Sequence, residues 1–130
     1  MPSYRESPMT RELCAKLEAW GCCVLPLVAN SMSKPGWPDR YVAFAINKRL
    51  QFQGWIEFKS STGKLSKVQA RVIQDLRSAR VIVIVASFSK DGSHISLNAG
   101  HGVCQNIRNS SSGFIECLCD MSRQVEECRL

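Results

Sequence analysis

Three short stretches hold residue types that could do chemistry together. Pro38-Asp39 opens one apolar segment, Glu57-Phe58-Lys59 lies inside another, and Gln69 stands near the start of a helix-like one. Side chains alternate faces along a strand, so Glu57 and Lys59 share one face while Ile56 and Phe58 share the other. If the two segments pair as a hairpin about Asn47–Arg49, Asp39 joins Glu57 and Lys59 on one surface. Adjacent carboxylates repel unless a proton or cation joins them. A hard divalent cation such as Mg²⁺ suits oxygen ligands of this kind and keeps waters for chemistry. Lys59 beside it could orient an attacking water or stabilise charge on a phosphate. The backbone carbonyl of Phe58 is a natural further ligand. The plain alternative is a surface ion pair of Lys59 with Glu57 or Asp39, with Asp39 a turn residue. An E-x-K triplet alone is weak; a Pro-Asp step 18 residues upstream and a basic helix downstream give it weight.

The elements that must position these residues follow from pattern. Ser7-Pro8 suits a helix start, with Ser as cap and Pro where a missing N–H costs nothing. Met9, Leu13, Leu17 and Trp20 form an apolar stripe at helical spacing, and Gly21 ends the helix. Residues 22–28 read as a strand and 30–38 as a loop rich in Ser, Asn, Gly and Pro. Arg40–Ile46 reads as a second strand, Asn47–Arg49 as a turn and Gln51–Ser60 as a third strand. A second helix begins near Ser66, which has capping-box spacing to Gln69, and Val68, Val72, Leu76 and Ala79 line one face of it. The continuous apolar run 81–86 suits a strand buried on both faces. This order gives an α/β layered domain with a mixed sheet. Beyond Ser87 the pattern weakens to a short strand at His94–Leu97, a flexible linker at Asn109–Gly113 and a helix at Phe114–Val125. No internal repeat is present.

Composition bounds the function. With 130 residues, 45% apolar and 22% charged, the chain fits one domain with a core, not a collagen-like or disordered class. No stretch approaches the ~20 apolar residues of a membrane span, and no signal-peptide core opens the chain, so an intracellular, cytoplasmic protein without membrane contact is expected. The net charge is +6, and residues 1–86 carry 13 basic and 6 acidic side chains against 4 and 5 in 87–130. Such a basic excess favours a polyanion. The 7 cysteines, odd in number and irregularly spaced, read as reduced thiols. A zinc set from His101, Cys104, Cys117, Cys119 and Cys128 lacks the usual paired knuckles.

Gly36-Trp37-Pro38-Asp39-Arg40, Trp55-Ile56-Glu57-Phe58-Lys59 and Leu65-Ser66-x-x-Gln69, in this order and strand context, resemble the VRR-NUC domain. This is the virus-type replication-repair branch of the PD-(D/E)xK nuclease superfamily, here in a stand-alone phage or bacterial form. The match runs from about Glu6 to Ala86. The resemblance implies a restriction-endonuclease-like α/β core, a small mixed sheet flanked by helices, that uses Mg²⁺ or Mn²⁺ to hydrolyse DNA phosphodiesters. It makes Asp39 and Glu57 metal ligands, Lys59 the catalytic lysine, and Gln69 the helix glutamine set against the site. Gln69 can also partner the Ser66 cap. Family members carry a first-helix glutamate, which Glu6 fits by spacing; Pro8 would leave Glu6 just outside the helix, and Glu12 is the rival. The core is expected over 1–86, with 87–130 an extension packed on it.

Around this site Lys34, Arg40, Lys64, Lys67 and Arg71 are candidate phosphate contacts. Trp37 could stack on a base or pack over its own strand. No element suits major-groove readout, so preference for DNA structure is expected over preference for sequence. The expected function is a structure-selective endonuclease for Holliday junctions or other branched DNA in replication, repair or recombination, acting as a homodimer because one short chain supplies one site. The alternative is a non-catalytic nucleic-acid-binding module with the same fold.

Overall fold

The computed structural model describes residues 7–26 and 36–128. In chain order these form α1 (Pro8–Ala19), β1 (Cys23–Pro26), β2 (Arg40–Ile46), β3 (Arg49–Lys59), α2 (Lys67–Ser78), β4 (Val83–Phe88), β5 (His94–Gly100), β6 (Val103–Arg108) and α3 (Ser111–Cys128). The six strands lie in one sheet in sequence order. Every neighbouring pair is antiparallel except β3 and β4, which run parallel and are joined by α2. A parallel pair needs a crossover of this length, and the helix lies over the pair it connects. No helix among the described residues is long and apolar enough to cross a membrane.

Strand alternation divides the sheet into two unlike faces. Val42, Phe44, Phe52, Ile56, Phe58, Ile84, Ala86, Phe88, Ile95 and Leu97 are buried in one core with Leu13 and Leu17 of α1 and Phe114, Leu118 and Met121 of α3. Phe58 stacks on Phe88 and on Phe114, with ring centroids 6.0 and 6.2 Å away. The opposite face carries α2 over β3 and β4. Here burial is thin: Ile73 is the buried residue of α2, while Val68, expected on its apolar face, is 51% exposed. Val72 and Leu76 are half-buried and Ala79 is exposed. The expected double burial of β4 therefore holds at Val83 and Ile84, and fades to half-burial at Val85 and Ser87. Arg77 fastens the far end of α2, its Nε and Nη2 donating to the Val83 carbonyl at 3.1 and 2.8 Å and Nη2 to that of Asn98 at 3.0 Å.

Several local expectations are met and others corrected. Pro8 opens α1, but the Ser7 side chain makes no cap bond; its carbonyl accepts from the Arg11 N–H instead. Trp20 leaves the apolar stripe at the helix end and is 58% exposed, and Cys14 is buried beside Leu13 and Leu17. Gly21 follows with φ +98°, a left-handed residue that ends the helix. Asn47 and Lys48 both have positive φ, as a two-residue hairpin turn between twisted strands requires. Asn109–Gly113 is not a flexible linker. Ser110 Oγ accepts from the Gly113 N–H at 3.1 Å, and Asn109 Nδ2 donates to the Gly92 carbonyl at 2.8 Å, so the helix starts at Ser111. β5 runs three residues past Leu97, and β6 was not foreseen: its outward Cys104, Asn106 and Arg108 are a mixed set with little β-branching.

The β4–β5 turn is held by a carboxylate. Asp91 Oδ1 accepts from Ser89 Oγ at 2.9 Å, the Ser93 N–H at 3.0 Å and Ser93 Oγ at 2.7 Å. These bonds favour the ionised form and lower its pKa to about 2. A lowered acid pKa gives stability that is full above the unfolded-state value near 3.9 and is lost as pH falls towards the folded one. Urea midpoints measured between pH 5 and pH 2 should fall more steeply for the parent than for Asp91→Asn; identical slopes would show that the turn bonds contribute nothing.

Candidate active site

The site lies at the carboxyl end of β3, beside the start of β2. Arg40 pairs with Ile56, so position 39 falls opposite Glu57. The Asp39 N–H donates to the Glu57 carboxylate, which fixes the loop against the strand. Gly36 sets the approach of that loop. Its φ is +87°, and a Cβ there would fall 2.7 Å from Val68 Cγ1 and 3.0 Å from the Val68 backbone, so only glycine lets the loop lie on the first turn of α2.

Glu57, Lys59 and Gln69 form one hydrogen-bonded cluster. Lys59 Nζ lies 3.2 Å from Glu57 Oε2 and donates to Gln69 Oε1 at 3.0 Å. Gln69 Nε2 donates to the same Glu57 Oε2 at 3.2 Å. Gln69 Oε1 also accepts from the Ser66 N–H at 2.9 Å, while the Gln69 N–H donates to Ser66 Oγ at 3.1 Å, completing the capping box. The two roles open to Gln69 in the sequence are thus held at once, by opposite ends of one amide. Two donors on Oε1 and a carboxylate on Nε2 fix its orientation, since a flipped amide would lose all three bonds.

Glu57 is 5% exposed, an ionisable group under a helix. Burial raises its pKa against the attraction of Lys59 and the bonds from Lys59, Asp39 and Gln69. Asp39 Oδ1 is also buried. Its carboxylate is near enough to Cys14 of α1 to add to the burial that pushes that thiol up to about 12, which makes Cys14 inert as a nucleophile. The Trp55 N–H donates to Ile82 on the β4 side. Alternation then turns the backbone of Phe58 to the β2 side, where the chain before Arg40 has not yet joined the strand.

Two carboxylates and a main-chain carbonyl are hard oxygen donors, which fits Mg²⁺ or Mn²⁺ better than a soft metal. Mg²⁺ characteristically takes one or two carboxylates and fills its remaining positions with water or substrate oxygens. Among the described residues no group of three or more His, Cys, Asp or Glu gathers to hold a metal unaided. Of the zinc candidates, Cys117 is buried, with its thiol on Gln105 and Met121, while Cys104 and Cys128 are exposed.

The remaining sequence candidates separate. Lys64, Lys67 and Arg71 are exposed on and just before α2, beside the cluster. Arg40 is not with them. It is 6% exposed because the first residue of β2 points with Val42 into the α1 side, where it donates to the Asp39 carbonyl at 3.0 Å. There it lines a cleft of about 240 Å³ with Arg11, Cys14 and Glu18. Trp37 packs edge-on against Trp55 at 5.7 Å, over its own sheet, and Tyr41 also meets Trp55 edge-on at 5.4 Å. Glu12 is exposed and pairs with Lys16 at 3.4 Å. Glu6 and Lys34 lie outside the described residues. Sequence reading missed the aromatic row and the Arg77 clamp; the alternation of Tyr41, Ala43, Gln53 and Trp55 with apolar neighbours was the available signal for the first.

A mixed six-stranded sheet with one parallel pair, helices on both faces and carboxylates at the carboxyl end of that pair is a restriction-endonuclease-like fold. Among solved structures the chain is similar to Hjc, a Holliday junction resolvase from the archaeal hyperthermophile Archaeoglobus fulgidus. The TM-score is 0.50 at 16% identity, over 83% of this chain and 95% of that one, a likeness of fold. No family model matches the sequence, and no curated protein matches it.

Proposed function

We propose that this protein is a metal-dependent DNA endonuclease of the VRR-NUC type that cuts Holliday junctions or other branched DNA. The observation that carries the reading is the cluster in which Asp39 and Glu57 lie opposite one another with Lys59 held between Glu57 and Gln69. The residue types and order resemble that family, and the fold likeness to a resolvase supports the same class.

Asp39, Glu57 and the Phe58 carbonyl are the groups that would hold Mg²⁺ or Mn²⁺. Bound there, the ion would supply Lewis-acid stabilisation of the phosphate and lower the pKa of a water. Lys59 donates a proton to one bond with Gln69 and keeps others for a phosphate oxygen or the attacking water. Gln69 is a positioning residue, holding Lys59 by its oxygen and Glu57 by its nitrogen. Lys64, Lys67 and Arg71 bind the phosphate backbone, and two sites for two strands come from a homodimer.

The test is cleavage of four-way junction, flap and plain duplex DNA with Mg²⁺ or Mn²⁺, with the mass of the active species measured alongside. Faster cutting of the branched substrates is expected; no cutting under any condition, with DNA still bound, would leave the non-catalytic binding module as the correct reading.

A further inference from the structure

The site face of the sheet does not stop at α2. In register, Lys59 pairs with Ser87, Ser87 with Ser96, and Ser96 with Asn106, one row running from the site to the sheet edge. In the next row His94 pairs with Arg108. The outward residues of β5 and β6 are all exposed, because α2 ends its hold at the Val83 and Asn98 carbonyls. Among the described residues, Ser87, Ser96, Asn106 and Arg108 make no side-chain hydrogen bond or ion pair.

An open polar face is ordinary for an antiparallel sheet. The charge on this one is not. None of the six outward residues of β5 and β6 is acidic, and Asp91 in the β4–β5 turn is tied down by Ser89 and Ser93. The other acids of residues 87–130, Glu116, Asp120, Glu126 and Glu127, sit on α3 beneath the opposite face. Hydroxyl and amide groups with an unpaired Arg at the edge are the donor set that positions a phosphate backbone without reading bases.

We propose that this uncovered row from Lys59 to Asn106 and Arg108 is the track along which a DNA strand leaves the site. The proposal rests on the nuclease reading above. The row crosses three strand gaps of ~4.8 Å, so at ~3.4 Å of helix axis per nucleotide it takes about four nucleotides of one strand. The track gives the C-terminal third a role in holding substrate.

Binding of a fluorescent four-way junction, measured in EDTA so that cleavage plays no part, tests it. Arg108→Glu should weaken binding about tenfold and flatten the salt dependence by about one unit of slope, while Arg123→Glu on α3, with the same charge change, should not. A second measurement needs no variant: saturating junction DNA should slow maleimide labelling of Cys104, which is exposed on this face. Equal losses in the two Arg variants would reduce the effect to net charge and overturn the track, as would unprotected Cys104. A change from dimer to monomer in Arg108→Glu would assign the face to a second copy and also overturn it. Cleavage in metal tests the nuclease reading separately, so a protein that binds through this face and never cuts refutes that reading alone.

Discussion

Asp39→Ala, Glu57→Ala and Lys59→Ala should each lower cleavage of branched DNA by about 10²–10⁴-fold in Mg²⁺ or Mn²⁺, because a bound ion and its charge partners supply several kcal/mol and each 1.36 kcal/mol is tenfold. Losses of this size are common when any buried group is removed, so the stability of each variant decides the meaning. Glu57→Gln is the sharpest case. Burial raises the pKa of Glu57, so above the folded pKa its ionised form costs stability, and the cost vanishes as pH falls through that value. Glutamine keeps the shape and removes the charge. In EDTA at neutral pH the thermal midpoint of Glu57→Gln should therefore be no lower than that of the parent, while cleavage is lost. A variant that cuts at the parental rate would exclude Glu57 as a ligand; one that melts far earlier would make the Lys59 pair structural.

A protein truncated after Ala86 should not fold. Residues beyond it supply Phe88, Ile95, Leu97, Phe114, Leu118 and Met121 to the core, every one of them nearly inaccessible. Removal of β5 would also strip β4 of its antiparallel neighbour and leave a buried strand as an edge. A single buried Phe is worth about 3–5 kcal/mol and a whole domain is stable by about 5–15, so losing this many leaves no margin. The 1–86 chain should lack a cooperative melt and near-ultraviolet ellipticity. A folded, sharply melting 1–86 protein would show instead that the strands and helix beyond are an appendage.

Much of the arrangement was legible because local rules agreed with the fold. Arg40–Ile46, its two-residue turn and the strand through Lys59 follow from alternation and turn chemistry, and their pairing sets Asp39 opposite Glu57. The Ser66 and Gln69 spacing gave both the start of α2 and the residue that steadies Lys59. The failures lie where tertiary context decides. Arg40 is a surface cation by type, yet parity along β2 turns it inward with Val42. β6 has almost no propensity of its own and exists because β5 offers an edge and α3 a cover. Asn109–Gly113 looks flexible by composition, but one serine oxygen on a backbone N–H makes it a helix start.

The thin seat of α2 has a consequence for how the protein ages or heats. One buried residue, a single arginine clamp and a capping box hold that helix, whereas the opposite layer is sealed by stacked phenylalanines. Segments with few buried contacts open at a small fraction of the global unfolding free energy. Gln69 belongs to the cap and to the Lys59–Glu57 pair together, so fraying at the first turn of α2 unlatches both charged side chains in the same event. The geometry of this cluster and the native fold therefore have separate lifetimes, with the shorter one belonging to the cluster.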